Sequence, residues 1–181
     1  MLNNGIIPSI DSMKIFEYFL DSEYQYCFLM NIHISMLEKM VKDAHKVNKK
    51  VIVHIDLLRG ITSDEYGVEY LCQRLNVDGI ISTRRKTIDA AKRCNKIAIL
   101  RVFLIDSQSL KTGIDLVEQI KPDYLEVLPA IAYSAVSKIK KETSVPIIGG
   151  GLLESIEEVQ MALVSGFEAV SLSNSDIWRN Y

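Results

Sequence analysis

Three glycines in succession, Gly149–Gly151, end a β-branched run that starts at Val145, and a helical pattern follows from Ser155. A residue without a Cβ lets the backbone approach another group closely. One strand further on, Ser171, Ser173 and Asn174 precede a last short helix. Backbone N–H groups from a glycine turn and from a helix start can hold a phosphate without a lysine. The segment is neither a Walker loop, which needs GxxxxGK[ST], nor a GxGxxG fingerprint. Read alone, it is equally a tight strand-to-helix turn.

A second group of residues carries charge into apolar surroundings. Arg101 lies inside IAILRVFLI. Burying an isolated charge is costly, so it needs an acidic partner. Glu126 and Asp56 are the candidates. Such a pair either braces the interior or lies beneath a polar ligand, with one member binding and the other orienting. His54 reads first as a hydrogen-bonded core residue and only second as a ligand contact or catalyst. Asp56 and Arg59 stand further out, where a hydroxyl or phosphate could reach them. Other chemistry is poorly supported. His33, His45 and His54 have no spacing that brings two onto one helix face, so no metal site is expected. The strand-like runs contain no lysine for Schiff-base chemistry, and no catalytic residue is assigned.

The elements that must position these groups alternate. Strand-like runs fall at Gly5–Pro8, Tyr26–Met30, Val51–Ile55, Gly79–Ser82, Ala98–Leu104, Tyr124–Leu128, Pro146–Ile148 and Ala169–Leu172. Helical spacing recurs between them, as in Leu37, Met40, Val41 and Ala44, or Leu110, Ile114, Val117 and Ile120. Capping-box spacings mark starts at Ser35/Glu38, Thr62/Glu65 and Ser155/Glu158. Strand followed by helix, eight times, predicts an α/β fold: a small single-domain (β/α)8 TIM-type barrel over residues 1–181. An open doubly wound sheet is the alternative. Helices must be brief, because such barrels usually have about 250 residues; the last, Ser175–Tyr181, has barely two turns. In a barrel, ligands bind at the C-terminal strand ends. That rule gathers His54, Asp56, Arg59, Arg84, Arg101, Glu126, Gly149–Gly151, Ser171, Ser173 and Asn174 at one mouth.

Composition narrows the partners. The formal net charge is −2, with 21 basic and 23 acidic residues, so any nucleic-acid footprint must be local. The basic clusters are Lys39–Lys50, Arg84-Arg85-Lys86 and Lys138–Lys141, which read first as solvated helix faces. No apolar run reaches the ~18 residues that would span a bilayer. Three cysteines without CxxC spacing fit a cytoplasmic protein with reduced thiols.

Six segments in order carry a resemblance: HIDLLRGI (His54–Ile61), GIISTR (Gly79–Arg84), RVFLIDSQSL (Arg101–Leu110), KPDYLEVLP (Lys121–Pro129), IIGGGLL (Ile147–Leu153) and AVSLSNSDIW (Ala169–Trp178). From about Gly5 to Trp178 the chain resembles the glycerol uptake operon antiterminator family. The resemblance implies a (β/α)8 barrel that responds to glycerol-3-phosphate and acts on the leader of glycerol-utilisation mRNA to prevent transcription termination. That is a regulator without a cofactor. Three positions depart from the family pattern: Ala130 stands where glycine is usual, Gly149 replaces alanine and Leu172 replaces threonine. Ala130 disfavours a positive φ at its turn, and Leu172 removes a hydroxyl from the expected ligand's surroundings.

The resemblance and the residues together imply an effector with phosphate on Gly149, Gly150, Gly151, Ser171, Ser173 and Asn174, and hydroxyls toward His54, Asp56, Arg101 and Glu126. Arg59, Arg84 and Arg85 would meet RNA, and the switch would move the rim or a homo-oligomer interface. A small barrel enzyme acting on a phosphorylated triose or sugar, with Glu126 or His54 as base, is the competing reading. A sensor that binds a protein partner is a third.

Overall fold

All eight expected runs form strands. The computed structural model describes residues 5–181. Strands β1 (Ile6–Ile10), β2 (Tyr26–Leu29), β3 (Lys50–His54), β4 (Gly79–Ser82), β5 (Ile97–Phe103), β6 (Tyr124–Leu128), β7 (Ile147–Gly150) and β8 (Ala169–Leu172) alternate with eight helices. These are α1 (Met13–Asp21), α2 (Ile34–Lys46), α3 (Glu65–Glu69), α4 (Arg85–Arg93), α5 (Ser107–Ile120), α6 (Tyr133–Glu142), α7 (Ile156–Ser165) and α8 (Ser175–Trp178). The sheet closes in sequence order. β1 meets β8 through Ile6–Val170, Ile7–Ser171 and Pro8–Leu172, which rules out the open doubly wound alternative.

The differences from expectation have local causes. β1 continues past Pro8, because Ser9 and Ile10 still pair with Phe28 and Leu29 of β2. α8 stops at Trp178, short of Tyr181. α1 fully buries only Phe16 and Phe19, while α4 buries Thr87, Ile88, Ala90 and Ala91, mostly small side chains. Ser155 caps α7 as expected, accepting from the Glu158 N–H at 3.2 Å. The other two expected caps are displaced. α2 is capped by His33, whose Nδ1 accepts from the Ser35 N–H, and α3 by Asp64, which accepts from the Gly67 N–H at 2.8 Å.

Strand residues alternate between two faces, and the core divides accordingly. Ile7, Phe28, Ile52, Ile81, Ile99, Ile148 and Ala169 fill the lower barrel interior. The opposite faces pack against the helices, with Val51, Val53, Ile80, Leu100, Val127 and Val170 meeting Leu37, Ile88, Val117, Val136 and Val159. No helix among the described residues is long and apolar enough to cross a membrane.

α8 has only four residues, too few to be stable alone. It is held by Trp178, which is 1% exposed and meets the Tyr24 ring edge-on at 5.9 Å, while the Tyr24 hydroxyl donates to the Trp178 carbonyl at 2.7 Å. Trp178→Ala is expected to cost about 3–5 kcal/mol in urea-unfolding free energy. Val164→Ala, at a side chain 89% exposed, should change it by less than about 0.5 kcal/mol.

Candidate functional site at the barrel mouth

Two residues above the apolar layer, the inward-facing positions turn polar. They are Ser9, His54, Arg101, Glu126, Gly150 and Ser171, with Met30 among them. Arg101 and Glu126 stand opposite each other on β5 and β6, and Arg101 Nε donates to Glu126 Oε2 at 2.6 Å. Arg101 is 6% exposed and Glu126 0%. The other carboxylate oxygen, Oε1, accepts from Ser171 Oγ at 2.8 Å. Gly150 belongs to this layer because a Cβ there would lie 2.8 Å from Ser171 Oγ and 3.1 Å from Glu126 Oε1. Of the two acidic partners expected for Arg101, the structure selects Glu126.

His54 is 2% exposed, and its Nδ1 has no hydrogen-bond partner among the described residues. Burial, and then the Arg101 charge, lower its pKa to about 4. Its imidazole is therefore neutral at pH 7, and one buried ring nitrogen is left free to bond.

Asp56 serves a different purpose from the interior pair. It lies in the short 3-10 turn after β3, where it gathers two loops. Its carboxylate accepts from the Ser63 hydroxyl, from Ser82 Oγ at 2.9 Å and from the Thr83 N–H at 2.8 Å. Burial pushes its pKa up, but the bonds from Ser63, Thr83 and Ser82 outweigh this and leave it below the usual carboxylate range. Arg84 Nε stands 3.6 Å from the same carboxylate, and Arg84 Nη1 donates to the Ser63 carbonyl at 3.2 Å. Ser63 was not among the expected site residues, and Thr83 was expected only as part of the strand end Ser82-Thr83-Arg84.

The rim arginines do not form one cluster. Arg59 is exposed, and its Nε donates to the Asn31 carbonyl at 3.1 Å. Arg85 is also exposed but is directed along the outside of the barrel. Its Nη1 donates to Gln119 Oε1 at 2.7 Å in the last turn of α5, and its Nε lies 3.6 Å from Asp89. Of the two adjacent arginines, only Arg84 is tied to the mouth through Asp56.

The triple glycine divides by face. Gly149 is a buried strand residue paired with Val127 and Val170. A Cβ there would meet Ala130 Cβ at 3.0 Å and the Phe167 ring at 3.2 Å, so this position faces the helices and not the mouth. Gly150 faces the interior, and Gly151, at φ +74°, is exposed. The turn is therefore partly core, and Gly149 does not join the mouth where it was expected. Ser171 Oγ is likewise committed to Glu126, and Asn174 Oδ1 to capping α8 through the Asp176 N–H at 3.0 Å. Among the described residues, the N–H groups of Gly151, Ser173 and Asn174 donate to no protein acceptor.

The three departures from the family pattern also resolve. Leu172 is buried among the helix-facing core residues, so it takes no hydroxyl from the mouth. Ala130 does not adopt a positive φ; its N–H donates to the Gly150 carbonyl at 2.8 Å. The alanine missing at 149 and the methyl gained at 130 occupy one space, with the two Cβ positions 3.0 Å apart.

Comparisons with known proteins agree with the barrel fold. A family model described as glycerol-3-phosphate responsive antiterminator matches residues 6–178. The crystal structure of a glycerol uptake operon antiterminator regulatory protein from Listeria monocytogenes superposes with a TM-score of 0.94 at 37% identity, covering 99% of this chain and 97% of that one. A glycerol uptake operon antiterminator-related protein from Thermotoga maritima gives a TM-score of 0.85 at 29% identity, covering 97% and 98%. The uncharacterized protein YgcP of Escherichia coli (strain K12) is 29% identical over 97% of this chain and 92% of its own length.

Two predictions follow from the packing and the charges. Gly149→Ala should destabilise the barrel by about 1–3 kcal/mol through overpacking. The double variant Gly149→Ala/Ala130→Gly should recover part of that loss in a double-mutant cycle by urea unfolding. For His54, the folded-state pKa lies below the unfolded value, so its contribution is fully present above pH 6.5 and is lost as pH falls toward 4. Between pH 7.5 and 4.5 the wild type should lose roughly 2–3 kcal/mol more unfolding free energy than His54→Gln.

Proposed function

This chain belongs to the glycerol-3-phosphate responsive antiterminator family, and from that premise we propose that it binds glycerol-3-phosphate at the barrel mouth and then acts on RNA as a transcription antiterminator for glycerol metabolism genes. The observation that carries the effector half of this reading is the polar layer over an apolar barrel. Arg101, Glu126 and neutral His54 are buried directly beneath the mouth, with a ring nitrogen of His54 unused. A polyol hydroxyl satisfies such a nitrogen without bringing a charge into the interior. The phosphate end is assigned to the backbone N–H groups of Gly151, Ser173 and Asn174, which lack internal acceptors. Gly150 and Ser171 shape the floor between the two ends, and Gly149 takes no direct part.

An effector acts only through unequal affinity for two states. Asp56 supplies a physical connection, because it lies two residues beyond His54 and holds the loop of Ser63 to the loop of Thr83 and Arg84. A ligand that shifts the end of β3 therefore shifts the exposed guanidinium of Arg84. Arg84 and Arg59 are the rim cations assigned to RNA, and Arg85 joins them only if it leaves Gln119. The protein works as a cytoplasmic regulator and not as an enzyme: of the two candidate bases, Glu126 is bound to both Arg101 and Ser171, and burial and the Arg101 charge make His54 a weak base. Any role for a homo-oligomer belongs to the switching step.

Thermal unfolding with glycerol-3-phosphate, glycerol and inorganic phosphate, compared at equal concentrations, tests the effector assignment. Glycerol-3-phosphate should raise the midpoint, equivalent to about 2.7 kcal/mol at one hundred times Kd, and the two fragments should do far less. Equal shifts from phosphate alone would overturn the polyol assignment. With a glycerol-operon leader RNA, Arg84→Ala should weaken binding and reduce the salt slope by about one for a lost phosphate contact. An unchanged slope would move the RNA surface elsewhere, such as Lys138–Lys141.

A further inference from the structure

A groove runs between the segment that opens α3 and the first turn of α4. Asp64, Glu65 and Tyr66 line one wall, and Arg84, Arg85 and Lys86 line the other. Tyr66 is 74% exposed, and Tyr70 one turn later is 45% exposed, although rings of this size normally bury most of their surface. Residues four apart on a helix are neighbours, so the two rings share a face. The acids of the groove are already engaged. Asp64 caps α3 by accepting from the Gly67 N–H at 2.8 Å, and Glu65 Oε2 lies 3.3 Å from Arg93 Nη2. The cations are less so. The Arg84 side chain is 63% exposed, and Lys86 is exposed with no acidic partner among the described residues. Arg85 adds its charge but is turned toward Gln119. The first turn of α4 holds no acidic residue, although the positive end of a helix dipole favours one.

Resting on the RNA-binding reading above, we propose that this groove holds an unpaired nucleotide of the RNA, with its base stacked on Tyr66 and the flanking phosphates on Arg84 and Lys86. The two walls supply the two halves of this recognition. An open tyrosine face gives stacking to any base, and neighbouring cations take the backbone. The same surface is poorly suited to a duplex. Paired bases are stacked on each other and offer a ring no free face, so the RNA must be a loop, a bulge or a single strand. A protein partner is less well matched. The centre of a protein interface is depleted of charge, whereas this groove has charges on both walls and no aliphatic side chain.

The groove is also placed to respond to the effector. Its walls are the two segments that Asp56 joins through Ser63 and Thr83. Arg84 Nη1 donates to the Ser63 carbonyl at 3.2 Å, and a guanidinium has further donors for a phosphate. A ligand that displaces Asp56 changes the spacing between ring and cations, and with it the affinity for the nucleotide.

The test titrates a fluorescently labelled glycerol-operon leader RNA with the full chain, glycerol-3-phosphate present, and reads Kd by anisotropy at several salt concentrations. Tyr66→Ala should raise Kd roughly ten- to a hundredfold with the salt slope unchanged. Tyr66→Phe keeps the ring face and should bind like the wild type. Lys86→Ala should reduce the salt slope by about one. Annealing the leader to its complement should remove the difference between the wild type and Tyr66→Ala. Circular dichroism confirms that each variant is folded. Wild-type binding that Tyr66→Ala leaves unchanged would overturn the groove while the RNA-binding reading stands, and would give this face to another class of partner, such as a protein. A loss in Tyr66→Phe equal to that in Tyr66→Ala would overturn the stacking, and an unchanged slope in Lys86→Ala would overturn the phosphate contact. A wild type that binds no leader RNA would overturn the RNA-binding reading and the groove together.

Discussion

The buried pair of Arg101 and Glu126 constrains everything else at the mouth. In the barrel interior two charges are tolerated only when they neutralise one another and their remaining bonding capacity is filled. Arg101 uses Nε on Glu126 at 2.6 Å, and Glu126 uses its second oxygen on Ser171. The pair thus determines the residues around it. Position 150 is a glycine because a Cβ would intrude on Ser171 and Glu126. His54 stays neutral in part because the Arg101 charge is near. Removing either member of the pair would strand the other, a change that typically costs about 3–5 kcal/mol. The interaction is therefore both a brace between β5 and β6 and the charged part of the polar layer beneath the mouth.

That layer also separates two kinds of substitution. Strand alternation sends odd and even residues to opposite faces, so neighbouring positions meet unrelated surroundings. Gly149, Ala130 and Leu172 all face the helical layer or the turn beneath it. Their chemistry concerns packing volume. Gly150, one residue from Gly149, faces the polar layer of Ser171 and Glu126. Adjacent glycines in a single turn thus have unrelated reasons to be glycine, one steric against Ala130 and Phe167, the other steric against Ser171 and Glu126.

Asp56 gives the mouth a route to the surface. Its bonds to Ser63, Ser82 and Thr83 join two loops, and Arg84 leans on the same carboxylate. Loops carry the higher mobility of a barrel, and here a single acidic group is bonded to two of them. His54 at the end of β3 and Asp56 two residues later thus place an interior group and a rim group on the same stretch of chain.

Much of this was legible in the residue order. Eight strand-like runs separated by helical spacing require parallel pairing, and the charged Arg101 in an apolar run required a buried partner; both depend on local sequence period and on the cost of an isolated charge. The motifs from His54 to Trp178 carried the family. Tertiary structure alone decided which acid meets Arg101, because the distance between β5 and β6 is a matter of register and Asp56 was equally acidic. It also decided that Arg85 leaves the rim for Gln119 and that Gly149 looks outward. Each is a contact between elements far apart in the chain. Local sequence specifies an element's type and its two faces, but which side chain stands opposite another is set only when the barrel closes and shifts one strand against the next.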